Sequence, residues 1–168
     1  NETKGLMPNC WSAPIAYLSG SVSYPSVYDY TARTGSKDIY FSNGTSSTLM
    51  ITLNGYQGDI TELQLVAWAK PNGTTSSYGK MQVGFMTDNT DTNTFVVVKE
   101  YLATDWPSSV YDEMITPFNT LEDFTADVDA VYYPAIKYIS GGKTQIRIVR
   151  VHHFRHQKFD GYDQNYRQ

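Results

Sequence analysis

The chain has 168 residues, of which 18% are charged and 14% aromatic, and a formal net charge of −4. That length holds one domain with its own hydrophobic core, and with no cluster of lysine and arginine before the last quarter of the chain there is no electrostatic footprint for nucleic acid. The only cysteine, Cys10, excludes an internal disulfide, so the fold rests on packing alone or on a bound ion.

Short β-type runs separated by Gly, Ser, Asn and Pro clusters follow one another along the chain, the spacing of a sandwich or barrel. Cys10, beside Trp11, reads as a small buried hydrophobe rather than a nucleophile. Asp38 to Phe41 and Thr48 to Leu53 are predicted strands joined through Asn43-Gly44, whose positive φ angles suit a tight hairpin. Leu63 to Lys70 alternates Leu63, Leu65, Ala67 and Ala69 against Gln64, Val66, Trp68 and Lys70, and Pro71-Asn72-Gly73 is expected to end it. Its apolar character predicts a central strand, with Trp68, like Trp11, as a core anchor.

Lys80 to Thr87 alternates Met81, Val83 and Phe85 against Gln82, Gly84 and Met86, and the turn Asp88-Asn89-Thr90-Asp91 leads to an antiparallel neighbour at Thr94 to Leu102. Val110 to Phe118 comes next. Leu121, Phe124 and Val128 fall at helical spacing and leave a single helical turn open as an alternative. Val131 to Ile139 is interrupted by Pro134, which predicts a strand edge or a bulge. In Gln145 to Phe154 the apolar phase switches, which predicts a bulge near Ile148. The expected organisation is one sandwich domain over residues 1–157 and a polar tail over residues 158–168. No run approaches the ~20 apolar residues of a membrane span, so no membrane insertion is expected, and the chain reads as one domain of a larger protein.

Four pieces in this order carry a family likeness: Leu6-Met7-Pro8-Asn9-Cys10-Trp11, Ser36-Lys37-Asp38-Ile39-Tyr40-Phe41, Leu63-Gln64-Leu65-Val66-Ala67-Trp68-Ala69, and Met81-Gln82-Val83-Gly84-Phe85-Met86-Thr87-Asp88 followed by Thr94-Phe95. Together they resemble the jelly-roll domains, similar to MAM and cleaved-adhesin domains, of surface and secreted proteins of Bacteroidota. Tyr133-Pro134-Ala135-Ile136-Lys137 looks like the first closing strand of such a domain and Arg147-Ile148-Val149-Arg150-Val151 like the second. The resemblance implies an all-β, antiparallel two-sheet sandwich of jelly-roll type, concanavalin-like or galactose-binding-like. It further implies a non-catalytic module, extracellular or on the outer cell surface, associated with adhesion or glycan handling. Relatives of this type hold a structural calcium with acidic residues of the last strand, where this chain has Val149 and Arg150.

Three constellations are candidates for chemistry. Asp88, Asn89 and Asp91 place three oxygen-bearing side chains within four residues, as a hard cation such as calcium requires, although Asp and Asn in a hairpin also cap their own backbone. His152, His153 and His156 gather all the imidazoles, but adjacent strand residues point to opposite faces. A solvated strand end and weak zinc or nickel binding are the two readings. Sugar rings need aromatic faces and nearby polar groups, and Tyr24, Tyr28 and Tyr30, Tyr78 and Trp106 lie in polar loop sequence that supplies them.

The acidic pairs Asp112-Glu113 and Glu122-Asp123 are sequence neighbours, which do not span the gap between two glycosidase carboxyls. The expected partner is therefore a glycan or a host or surface protein. A spacer orienting neighbouring domains and, behind it, a glycan-active enzyme on a jelly-roll frame are the alternatives.

Overall fold

The computed structural model describes residues 7–28, 38–42, 48–72, 79–102, 105, 110–139 and 143–153. Among these residues thirteen strands follow in chain order: β1 (Ser12–Ile15), β2 (Tyr17–Ser19), β3 (Val22–Tyr24), β4 (Ser26–Tyr28), β5 (Asp38–Ser42), β6 (Thr48–Thr52), β7 (Tyr56–Gln57), β8 (Leu63–Asn72), β9 (Lys80–Met86), β10 (Val96–Tyr101), β11 (Asp112–Pro117), β12 (Val131–Ile139) and β13 (Lys143–His153). Every pairing is antiparallel. One sheet runs β1-β6-β12-β9-β10 with β7 also on β12, the other β11-β8-β13-β5-β4, and β2 and β3 form a separate hairpin. Among the described residues the only helical pieces are 3-10 turns such as Ile60–Glu62, Thr92–Thr94 and Phe118–Thr120.

The two sheets stack with their alternating apolar rows facing each other. Leu49 and Ile51 of β6, Met81, Val83 and Phe85 of β9, and Tyr132, Ile136 and Tyr138 of β12 meet Val27, Ile39, Phe41, Leu63, Leu65, Ala67, Ala69 and Met114 in one buried cluster. This is the period-two pattern of strands that bury one face. Rings join the layers at both ends: Phe41 stands 6.2 Å from Tyr138, and Phe85 stands 5.3 Å from Tyr132, 5.1 Å from Phe124 and 6.1 Å from Phe118. The expected all-β sandwich of jelly-roll type is therefore what forms.

The outward faces of the two sheets differ. On the first, Met50, Met86 and Ala135 are buried beneath Ile15, Phe95 and Tyr133, so a second small apolar cluster closes that face. The second sheet turns Gln64, Trp68 and Lys70 outward, all half-buried. Trp68 is thus a surface residue of the sheet and not a core anchor. Its place opposite the Leu63–Ala69 phase puts it on the far side of the pleat.

Several local expectations are met and some are corrected. The pairing of β13 with β8 slips between Ile148 and Arg150, the predicted bulge. Pro134 stands where the partner of β12 changes from β7 to β6, and one extra residue is accommodated there. The missing N–H costs no ladder bond at such a break. β8 continues through Pro71 to Asn72, beyond Asp112, where β11 no longer flanks it. An open edge tolerates proline. Leu121 and Phe124 pack on the core without an α-helix, and Val128 at the third helical position is 60% exposed.

Cys10 is exposed rather than buried. It sits at φ 67° in the turn that Trp11 N closes by donating to Pro8 O at 3.1 Å, and burial passes to its neighbours Met7 and Trp11, which pack on the core.

Gly84 is required by geometry at the β9–β10 pair, where β10 carries one extra residue between Val97 and Lys99. A Cβ on Gly84 would run into the carbonyl oxygen of Val96, an obstruction by backbone that no rotamer relieves. Gly84→Ala is expected to cost about 2 kcal/mol and to lower Tm by roughly 5 °C or more. Thermal circular dichroism reads this directly, and an unchanged Tm would mean that β10 moves away freely.

Candidate functional site

Tyr24 and Tyr28, two of the aromatic candidates, end β3 and β4 and come together across Tyr40. The Tyr24 ring meets Tyr40 edge-on at 5.7 Å, and the Tyr28 ring lies tilted at 5.1 Å on it. Alternation in β5 sends Ile39 and Phe41 into the core and Asp38 and Tyr40 outward. The register puts Tyr28 opposite Asp38 and Ser26 opposite Tyr40. Tyr40 and Asp38 are only 7% and 4% exposed, so they form the floor of this surface while Tyr24 and Tyr28 remain half-buried above it.

Tyr111, just before β11, donates its hydroxyl to Asp38 Oδ2 at 2.8 Å, and Lys70 Nζ lies 5.7 Å from the Tyr111 ring centroid. Trp68 stands on the same face. The outer side of the second sheet therefore presents four half-buried aromatic residues, Tyr24, Tyr28, Tyr111 and Trp68, with an ammonium and the Gln64 amide on the same face. Sequence reasoning missed Trp68 and Tyr111. The Trp68 signal was present in the alternation of β8, whereas nothing local joined Tyr111 to Asp38, 73 positions away. Tyr30, Tyr78 and Trp106 lie outside the described residues.

In the turn between β9 and β10, Asp88 Oδ1 accepts from Thr90 N at 2.8 Å and Thr90 Oγ1 at 2.7 Å, and Asp91 Oδ1 accepts from Asn93 N and Nδ2, both at 2.9 Å. Asp91 thereby caps the 3-10 turn Thr92–Thr94, with Asn89 half-buried beside it. Oδ1 of each carboxylate is thus engaged within its own turn, as Asp in a hairpin does. Asp127 does the same for Asp129 N at 3.0 Å. Among the described residues no group of three or more His, Cys, Asp and Glu side chains is placed to hold a metal ion. The main chain of His152 and His153 pairs opposite Gln64 and Leu63, and His156 lies outside the described residues.

A cleft of about 300 Å³ lies elsewhere, at the end of the sandwich. Leu53, Leu63 and Pro134 form its buried floor, half-buried Trp11 and Tyr56 its aromatic walls, and exposed Asn54 its polar rim. Trp11 is placed by the Pro8–Trp11 turn, and Leu53 by donating its N–H to Pro134 O at 2.8 Å. Among the described residues the lining carries no carboxylate, imidazole or thiol, the groups that acid–base or nucleophilic catalysis most often uses.

A disulfide-free antiparallel sandwich of this topology belongs, as a class of fold, with two-sheet β-sandwich domains. No family model matches the sequence, and no curated protein matches it. In fold the chain is similar to the K2 cleaved adhesin domain of Lys-gingipain, with a TM-score of 0.59 at 15% identity over 89% of this chain and 92% of that one. It is also similar to the K1 cleaved adhesin domain of Lys-gingipain from Porphyromonas gingivalis W83, with a TM-score of 0.55 at 11% identity over 87% and 90% of the two chains. A structure of carbohydrate-binding modules from the β-sandwich superfamily, described for promiscuous specificity, gives a TM-score of 0.51 at 11% identity over 86% of this chain and 54% of that one. The family likeness read from the sequence thus holds at the level of fold.

Two outcomes follow for the Asp88 turn. The Thr90 hydroxyl and then the Thr90 N–H hold the Asp88 carboxyl below its ordinary range, so its contribution to stability is present above that range and is lost as pH falls through the lowered value. Asp88→Asn is expected to lower Tm slightly at neutral pH and to approach the parent as pH falls through the lowered value, as followed by thermal melts across pH. Since each carboxylate is already engaged, a melt with a chelator is expected to match one with added calcium. A rise of several degrees on adding calcium would show an ion bound to the folded state.

Proposed function

We propose that the chain is a non-catalytic binding module, displayed outside the cell, that holds a carbohydrate on the outer face of its second sheet. The observation that carries this reading is the convergence of Tyr24, Tyr28, Tyr111 and Trp68 on one side of a rigid sheet. Half-buried rings are anchored by the part that packs and keep another part for the apolar face of a sugar ring, while Lys70 and Gln64 offer donors for its hydroxyls. Rings on strands lose little freedom on binding, which favours affinity.

Similarity of fold to domains described as adhesins and carbohydrate-binding modules supports the same reading. The display outside the cell rests on those fold neighbours. No helix among the described residues is long and apolar enough to cross a membrane.

A glycan array probed with the parent chain and with Trp68→Ala tests the proposal. Trp68 faces outward, so the variant is expected to keep its fold while losing roughly tenfold or more in affinity, as truncation of a central aromatic contact does. Tyr28→Ala is expected to act in the same direction. A parent chain that binds no glycan, or a Trp68→Ala variant that binds as the parent does, overturns the assignment of this face. Flat binding curves in every variant favour the spacer reading.

A further inference from the structure

The cleft at Trp11 and Tyr56 is separate from the aromatic sheet face. Leu63 lines the cleft and Trp68 lies on the outer face, on the same strand, five residues and therefore roughly 17 Å apart. An odd separation also sends their side chains to opposite sides of the sheet. We propose that this cleft is a second ligand site and that it takes a single neutral sugar ring.

Four features select that ligand. The volume of about 300 Å³ stands at the lower end of the range for ligand sites, which admits one ring rather than an extended chain. The described lining contains no charged side chain, and burying an unpaired phosphate, carboxylate or ammonium group against Leu53, Leu63 and Pro134 is strongly unfavourable. Two aromatic walls suit the C–H face of a pyranose. The Asn54 amide both donates and accepts, which matches hydroxyls that do the same and is of no use to a purely apolar ligand.

The rim is also held in place rather than free to collapse inward. Asn54 and Gly55 form the extra segment between β6 and β7, and a Cβ on Gly55 would stand 2.8 Å from Val131 Cγ1 and 2.9 Å from Tyr133 Cε1. The loop is therefore seated at Gly55 against the Val131 and Tyr133 side chains of β12. Trp11 is positioned independently by the Pro8–Trp11 turn. A site whose walls are set before the ligand arrives loses less on binding.

The choice of a sugar rests on the carbohydrate-binding reading, whereas the site itself does not, and the experiment separates the two. Methyl glycosides of neutral hexoses are titrated into the 15N-labelled chain, and the indole N–H signals are followed, with Trp11 and Trp68 assigned from Trp→Phe variants. The expected result is saturable movement of the Trp11 signal alone, with Kd on the order of 1 mM. Asn54→Ala, at an exposed position that leaves the core intact, is expected to weaken it roughly tenfold, and Trp68→Ala to leave it unchanged.

A Trp11 signal that stays still while the chain binds the glycan array overturns the second site and leaves the sheet-face reading standing. Movement of Trp11 in a chain silent on the array supports the cleft and removes the sheet face. An Asn54→Ala variant that binds as the parent does also overturns the proposal, because the amide is what selects a hydroxylated ring.

Discussion

The structure depends on ring packing between the two sheets. With one cysteine in the chain, no covalent tie joins the layers, and their separation and registration come from large side chains that interlock across the gap. Phe85 is the centre of this contact, against Tyr132 from its neighbouring strand and against Phe118 and Phe124 from the connection that leaves β11. At the other end Phe41 of one sheet meets Tyr138 of the other. Aromatic side chains suit this role because each fills a large volume with few rotatable bonds.

The long edge of the sandwich is closed by a different device. β10 and β11 terminate the two sheets on the same side, and the outward carbonyl of Ile115 accepts from Tyr101 Oη at 2.9 Å and from Lys99 Nζ at 3.3 Å. Tyr101 Oη also lies 2.9 Å from the buried Thr116 hydroxyl. One carbonyl that an edge strand would offer to another chain is thus engaged, by a lysine and a tyrosine. The aromatic surface lies on the outer side of the second sheet and the Trp11 cleft at the end of the sandwich.

The two candidate sites follow from the same asymmetry. On the first sheet, Ile15, Phe95 and Tyr133 cover Met50, Met86 and Ala135. On the second, the outer rows hold Trp68, Lys70, Asp38 and Tyr40, with Tyr24, Tyr28 and Tyr111 laid over them. A flat aromatic face suits an extended ligand and a small walled cleft suits a single ring, so the two surfaces serve complementary kinds of contact. The Asp88–Asp91 turn, in contrast, uses its carboxylates to shape the β9–β10 connection.

By itself the sequence determined the fold class, the inward rows and the approximate course of eight strands, with β12 at Val131–Ile139 and the bulge near Ile148 matched, whereas β1 to β4 and β7 were not read from it. These follow from a period of two, a property of adjacent residues that local order records. It also held the outward phase of Trp68, in the same alternation that buried Leu65 and Ala67. Tertiary structure alone decided which aromatic residues meet. Tyr24 and Tyr28 join through Tyr40, Tyr111 reaches Asp38, and Trp11 faces Tyr56 across Leu53 and Leu63 because strand order and register bring distant segments together. The same holds for Cys10, whose exposure goes with a turn in which Met7 and Trp11 pack on the core while Asn9 and Cys10 are exposed. Pairing between strands far apart in the chain is a long-range choice that no local period encodes.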